Sequence, residues 1–160
     1  MVKRILIATP LYPPDIGGPA QYAKNLEEFW RRKGYAVAVV YFGRFLRWPS
    51  GLRHLIYFFS LLPQAARADF ILALDTFSVG LPAVLAARLL GKKIIIRTGG
   101  DFLYEWYVER TGDLVLLRNF YRTSLAKLKL KERLIFYLSL WTVRYCHKLV
   151  FSTNWQKDIW

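Results

Sequence analysis

Short apolar runs alternate along this chain with longer segments whose apolar residues recur at helical spacing. An apolar run without polar alternation predicts a strand that is covered on both faces, as in a parallel sheet. Strands are predicted at residues 5–8, 36–42, 70–74, 93–98 and 148–152. Helices are predicted at residues 19–33, 55–66 (broken or kinked at Pro63), 79–90, 112–130 and 134–145. The alternation predicts the α/β fold class, with a Rossmann-like parallel sheet and helices on both of its faces.

The loop after the first strand is rich in glycine and proline. Gly17 and Gly18 directly precede a helix that is predicted to begin at about Pro19. Small residues there leave the free N–H groups of the helix open to a phosphate or a carboxylate. The alternative interpretation is an ordinary turn, and the spacing is not that of a dinucleotide-binding G-x-G-x-x-G loop.

Further polar residues and glycines follow two other predicted strands. Because the carboxyl ends of parallel strands meet at one edge of a sheet, these residues are expected near the glycine loop, in a substrate or donor-phosphate site. The predicted binding residues are Gly17, Gly18, Asp75, Thr98, Gly99 and Gly100. Asp101 is the candidate catalytic base or ligand of sugar hydroxyls, with Asp75 as a second candidate, and a helix cap is the alternative for either acid.

The charge balance predicts an anionic partner. The 160 residues carry a formal charge of +13 although 54% of them are hydrophobic, which indicates a folded domain with a cationic surface. Nucleic acid, an anionic membrane surface and a phosphorylated substrate all fit this charge. Cys146, His54 and His147 lack metal-ligand spacing, so no metal is predicted. The apolar runs fall short of a membrane span and no signal peptide is seen, which favours a cytoplasmic protein with a reduced thiol.

The segment 112–130 has the pattern of a helix that lies in a membrane interface. One stripe of this helix is apolar and the neighbouring face is cationic, which suits the acyl region and the phosphates of anionic lipids respectively. The alternative is an ordinary amphipathic helix that covers the sheet. The predicted membrane-binding residues are Leu117, Tyr121, Arg118, Arg122, Lys129 and Arg133. The next helix, 134–145, is apolar nearly all round and is predicted to be buried.

Taken in order, these segments resemble the N-terminal half of a retaining GT-B glycosyltransferase of family four, which includes bacterial lipid and polysaccharide mannosyl- and glucosyltransferases. ILIATPLYPPDIGGPAQYAKNLEEFWRRKGYAVAVV is similar to that family's first strand, glycine loop, helix and second strand. FILALDTFSVGLPAVLAARLLGKKIIIRTGGDF resembles the third strand through the loop after the fourth. CHKLVFSTNWQKDIW resembles the fifth strand and the polar start of the helix after it, with Thr153 and Asn154 as the expected cap.

The resemblance implies a retaining transfer of sugar from a nucleotide-sugar donor to a lipid-linked or polysaccharide acceptor, without a cofactor or metal. Gly17 and Gly18 would face the donor diphosphate, and the edge loops would receive the acceptor. Many members have a histidine where this chain has Gly99, so its role would be vacant or taken by Asp101. The family's second domain, with two glutamates eight residues apart, is not recognised in the sequence. The chain is therefore expected to be one acceptor-side domain, peripheral on the inner face of the cell membrane and inactive by itself.

Two other functions remain open at this point. A noncatalytic module would use the same sheet edge to bind phosphate and the cationic surface to reach a membrane or a partner. Nucleic-acid binding is disfavoured because the basic residues are dispersed over helix faces without a recognised binding motif.

Overall fold

A computed structural model describes residues 3–159 and contains a parallel five-stranded sheet with helices on both faces. The predicted fold class is confirmed. The strands are β1 (Arg4–Thr9), β2 (Ala36–Tyr41), β3 (Phe70–Ala73), β4 (Lys93–Thr98) and β5 (Lys148–Phe151). The helices are α1 (Gly18–Arg32), α2 (Leu52–Arg67), α3 (Gly80–Leu89), α4 (Phe102–Thr111), α5 (Leu117–Thr123), α6 (Leu130–Tyr145) and α7 (Asn154–Lys157), with short 3-10 helices at Phe42–Phe45 and Leu125–Lys127.

Alternate residues of the strands supply two separate cores. Leu6 and Ala8 of β1 point to the face covered by α2 and α3, where Trp141 and Tyr145 of α6 also pack. Ile5 and Ile7 point to the opposite face, which α1 covers with Ala23, Leu26 and Trp30. This period of two follows from the strand pleat, and it explains why the strand sequences are apolar without a break.

The strand order is β2-β1-β3-β4-β5, and every neighbouring pair is parallel. The crossover from β1 to β2 runs through α1, whereas the crossover from β2 to β3 runs through α2 on the other face. The connections therefore diverge between β1 and β3. Ligands of open α/β sheets bind at such a point, outside the carboxyl ends of the strands.

The helices α4, α5 and α6 form a third core beside the sheet. Tyr107, Phe120 and Ile135 are buried there, one from each helix. The guanidinium of Arg110 binds the carboxylate of Glu132 through two hydrogen bonds of 2.6 and 2.9 Å. This ion pair joins α4 to the first turn of α6.

The single helix predicted over residues 112–130 is wrong. Gly112 ends α4 in the left-handed conformation (φ 69°), and α5 is separated from α6 by Leu125–Lys127 and an extended residue at Leu128. Phe120 of α5 and Leu128 after the break are both buried in the core that α4 and α6 form.

Two smaller helix predictions are also tested. Helix α2 continues through Pro63 without a break, and the alternative of a kink at Pro63 stays a prediction. Helix α6 is not buried all round, because Leu130, Leu134, Tyr137 and Leu140 are exposed.

Within residues 3–159, none of the helices combines the length and hydropathy that a bilayer-spanning segment needs.

Candidate functional site

An open cleft of about 1280 Å³ lies at the carboxyl edge of the sheet. Its walls include the loops that follow β1, β3 and β4, the start of α1, and parts of α2, α4 and α6. It therefore lies at the divergence between β1 and β3. The predicted binding residues Gly18, Asp75, Thr98, Gly99 and Gly100 all line it, and Gly17 caps the helix that begins at its rim.

The N-terminus of α1 is open to this cleft. Gly17 has φ 147°, which L side chains rarely adopt, and a Cβ added to Gly18 would have no neighbour within 4 Å. No side chain caps the helix and its first turn has no acid. The free N–H groups and the positive end of the helix dipole therefore face space in which an anion fits.

Arg97 of β4 places a cation at the same edge. Its guanidinium lies 4.1 Å from the centre of the Tyr22 ring and donates to Ser152 Oγ over 2.8 Å. These contacts hold Arg97 between α1 and the end of β5. No ion pair of Arg97 is found among residues 3–159, so its charge is available to a ligand in the cleft.

Hydrogen bonds hold the loop after β4 in one conformation. Thr98 is buried, and its Oγ1 donates to the carbonyl of Gly100 over 2.7 Å. The carbonyl of Gly99 accepts a hydrogen bond of 2.9 Å from Gln156 Nε2. A side chain at Gly99 would crowd Arg97, because an added Cβ would lie 3.1 Å from its Nη1. Glycine at this position therefore lets the backbone and the guanidinium share one wall of the cleft.

Asp75 lies in the cleft wall but is already bound to the backbone. Its Oδ1 accepts hydrogen bonds from the N–H groups of Phe77, Val79 and Gly80 over 3.0, 2.9 and 3.0 Å. Burial raises the pKa of the Asp75 carboxyl, and these hydrogen bonds oppose the rise. The carboxylate thus shapes the loop after β3 and the start of α3.

Asp101, the catalytic candidate from the sequence, has a carboxylate that is already engaged in hydrogen bonds. It is buried and caps α4, accepting from the Tyr104 N–H over 3.0 Å and from the Tyr121 hydroxyl over 2.5 Å. Burial raises its pKa, and the bonds from Tyr121 and Tyr104 oppose the rise. The geometry of Asp101 therefore matches the alternative interpretation from the sequence, in which this residue caps a helix.

The carboxylates that line the cleft beside α4 are those of Glu105 and Glu109. Glu105 Oε1 accepts the N–H of Asp101 over 3.3 Å, while the Asp101 carboxylate accepts the N–H of Tyr104. Burial raises the pKa of Glu105, the hydrogen bond from Asp101 opposes this, and the Asp101 charge adds to the rise. Sequence reasoning missed Glu105, although an acid in the first turn of a helix is a signal of a helix start.

Two further basic side chains and an imidazole line the cleft at the side formed by α2 and α6. Arg53 and His54 of α2 and Lys131 of α6 face it, together with the aromatic rings of Phe77 and Trp106. The Lys131 ammonium lies 4.7 Å from the centre of the Trp106 ring. Sequence reasoning considered His54 only as a metal ligand, because nothing in the spacing shows that α2 and α6 meet at one cleft. No group of three or more potential metal ligands occurs within residues 3–159.

The predicted membrane-binding residues are divided by the broken helix. Arg118, Arg122 and Lys129 are exposed, whereas Leu117 and Tyr121 are half-buried. Arg133 is exposed, but its guanidinium donates to the carbonyls of Leu128 and Ala126, both over 3.2 Å. The cations therefore remain on the surface, while the apolar stripe turns partly inward.

Comparisons with known proteins do not extend this description: neither the protein-family models nor the curated proteins include a match to the chain.

Proposed function

We propose that this chain is the acceptor-side domain of a membrane-associated, retaining GT-B glycosyltransferase, which moves a sugar from a nucleotide sugar to a lipid-linked or saccharide acceptor. One observation carries the proposal. The open N-terminus of α1, the Arg97 guanidinium and the Thr98–Gly100 turn face one cleft at the divergence of a parallel sheet. That arrangement suits a ligand with both phosphates and hydroxyl groups.

In this proposal the cleft positions a substrate, and this chain does not complete the transfer reaction by itself. The cleft is open, so this chain alone does not enclose a ligand in it. In a two-domain transferase the second domain would close the cleft and hold the nucleotide. We expect the 160-residue chain alone to bind nucleotide sugars with a dissociation constant of about 1 mM or weaker, and to show no turnover.

Titration of the ¹⁵N-labelled chain with UDP-glucose or GDP-mannose tests this proposal. The amide signals of Gly18, Ala20, Gly99 and Gly100 are expected to shift, because the diphosphate approaches these N–H groups. The free nucleosides serve as the control and are expected to leave the four signals unchanged. Unchanged signals with both nucleotide sugars would count against the proposed site, and transfer of labelled sugar by the isolated chain would refute the need for a second domain.

Membrane association is tested separately on the exposed cations. Changing Arg118, Arg122 and Lys129 to glutamate is expected to weaken binding to anionic vesicles at least about 100-fold, since each cation near such a surface contributes about 1 kcal/mol. Co-sedimentation with phosphatidylglycerol vesicles measures the effect. The same change at Lys24, Arg32 and Lys33 is the matched control, because these residues are exposed at α1 on the other face of the sheet. Equal pelleting of both triple variants would contradict the prediction.

A further inference from the structure

A second cavity of about 500 Å³ lies between α2 and α3. Apolar side chains form most of its wall, and several of them are open to solvent, including Leu55, Leu85 and Leu89. The apolar residues that line this α2–α3 groove are Leu55, Phe58, Leu81, Pro82, Leu85 and Leu89. An exposed apolar groove on a water-facing surface is unfavourable unless something apolar occupies it.

The groove is continuous with the cationic side of the cleft. Gly51, His54 and Leu81 line both cavities, so the His54 ring lies at the boundary between them. That ring packs between the rings of Phe42 and Phe77, whose centres are 4.9 and 5.3 Å from its own. The two aromatic rings fix the orientation of the imidazole.

The polar atoms at this boundary lack partners within the described residues. Arg53 Nε and His54 Nε2 are both buried and make no hydrogen bond. Lys131, on the other side of the cleft, forms no ion pair among residues 3–159. Burial lowers the pKa of His54, and the charges of Arg53 and Lys131 lower it further, so the three groups lie close enough to act on one another. Buried donors without partners, beside uncompensated cations, favour an anionic ligand.

We propose that the α2–α3 groove and the adjoining cations bind a lipid phosphate, with its hydrocarbon chain in the groove and its phosphate at Arg53 and His54. A phosphate supplies acceptors for Arg53 Nε and for an N–H at His54 Nε2, and its negative charge complements Lys131. A hydrocarbon chain in the groove would cover its exposed apolar side chains and remove them from water. Because His54 lines both cavities, it lies where the phosphate and the hydrocarbon chain of such a ligand would be joined.

This inference deepens the proposed function and depends on it only for the role of the ligand. As the acceptor of the transferase, a lipid phosphate would place its headgroup in the cleft that contains Arg97 and the N-terminus of α1. Binding of the lipid phosphate itself requires neither a nucleotide sugar nor a second domain.

Calorimetric titration with n-dodecyl phosphate, below its micelle concentration, tests the binding. Each methylene that becomes buried is expected to tighten binding about fourfold, so dodecyl phosphate should bind far more tightly than inorganic phosphate. The negatively charged head should also make it bind at least about tenfold more tightly than neutral dodecyl maltoside. Equal binding of the two dodecyl compounds would overturn the role of the cations, and equal binding of dodecyl and inorganic phosphate would overturn the role of the groove.

Two variants and their matched controls locate the ligand. Arg53→Gln and Leu85→Gln are each expected to weaken dodecyl phosphate binding at least about fivefold, through the phosphate and the chain respectively. Arg67→Gln, at the far end of α2, and Leu140→Gln, on α6, are expected to have no effect; Leu85 and Leu140 are 43% and 41% exposed. Thermal unfolding of each variant verifies that the domain still folds.

Further outcomes of these experiments distinguish the lipid-phosphate site from the proposed function. Equal weakening by a variant and its control would overturn the site, as would a dimer of the chain that Leu85→Gln dissociates, because the groove would then belong to a second copy. Dodecyl phosphate binding without nucleotide-sugar shifts at Gly18 and Gly99 would retain this site and reject the proposed function. The reverse result would retain the function and reject the lipid phosphate.

Discussion

Replacing Arg110 by methionine is expected to lower the free energy of unfolding of this domain by about 3 kcal/mol at neutral pH. The Glu132 side chain is only 2% exposed, and that of Arg110 is 25% exposed. Removing the guanidinium leaves a buried carboxylate whose remaining partner is the Lys129 N–H, 2.7 Å away. Urea unfolding followed by far-UV circular dichroism measures the loss.

The pH dependence gives this prediction a second readout. Burial raises the pKa of Glu132, but the Arg110 guanidinium and the Lys129 N–H outweigh burial and hold that pKa below its usual range. A lowered folded-state pKa contributes stability that is present above the unfolded value of about 4.3 and is lost as the pH falls through the folded-state pKa. Without Arg110, burial favours the protonated acid. The stability difference between wild type and variant should therefore narrow as the pH falls from 7 towards 4.

Lys127→Met is the matched control for Arg110→Met. Its ammonium lies 3.3 Å from Asp113 Oδ2, but the two side chains are 62% and 38% exposed. Solvent screens such a pair, so we expect a loss below about 1 kcal/mol. Similar losses in the Arg110 and Lys127 variants would show that the buried pair does not join α4 to α6 as we infer.

Asp75→Ala is expected to cost about 2 to 4 kcal/mol of stability and to disturb the cleft wall. The change removes the acceptor of three backbone N–H groups, those of Phe77, Val79 and Gly80. Hydrogen bonds to a charged group contribute more than neutral ones, and loss of a cap at a helix start alone costs about 0.5 to 2 kcal/mol. Urea unfolding gives the stability, and amide signals of residues 75–80 report on the loop.

Asp75→Asn separates this structural role from a chemical one. The asparagine oxygen can occupy the Oδ1 position and accept the same three N–H groups, so we expect a loss of about 1 kcal/mol or less. Phosphate-bearing ligands should still bind, because the loop keeps its shape. An Asn variant as unstable as the Ala variant would mean that the negative charge, rather than the acceptor geometry, holds the loop.

The strands and the glycine loop could be predicted because their signals are local. An uninterrupted apolar run such as Ile5 to Ala8 satisfies only a strand covered on both faces, and β4 was predicted to the residue at 93–98. Gly17, Gly18 and Pro19 predicted the start of α1 within one residue, since each has a backbone conformation suited to its place.

The region from Asp101 to Lys129 was predicted poorly because its structure depends on packing. A helical wheel places Leu117, Tyr121 and Leu128 on one stripe, but the chain breaks after α5 and buries Phe120 and Leu128 in the core with α4 and α6, while Leu117 and Tyr121 stay half-buried. Helix α4 was missed because its apolar residues serve two surfaces, with Leu103 and Tyr107 in the core and Phe102 and Trp106 at the cleft.

The sequence by itself determined the class of fold, the parallel strands, and the edge of the sheet where glycines and polar residues gather. Each of these follows from residue type and from spacing within about ten positions. Only the tertiary structure decided what the candidate site contains. It directed the carboxylate of Asp101 into a helix cap and that of Asp75 into a loop, and it brought His54 of α2 and Lys131 of α6 to one cleft. The meeting of His54 and Lys131 depends on a contact between residues far apart in the chain, which local pattern does not encode. The contacts of Asp75 and Asp101 with backbone N–H groups are local, but the approach of the Tyr121 hydroxyl to Asp101 again depends on packing.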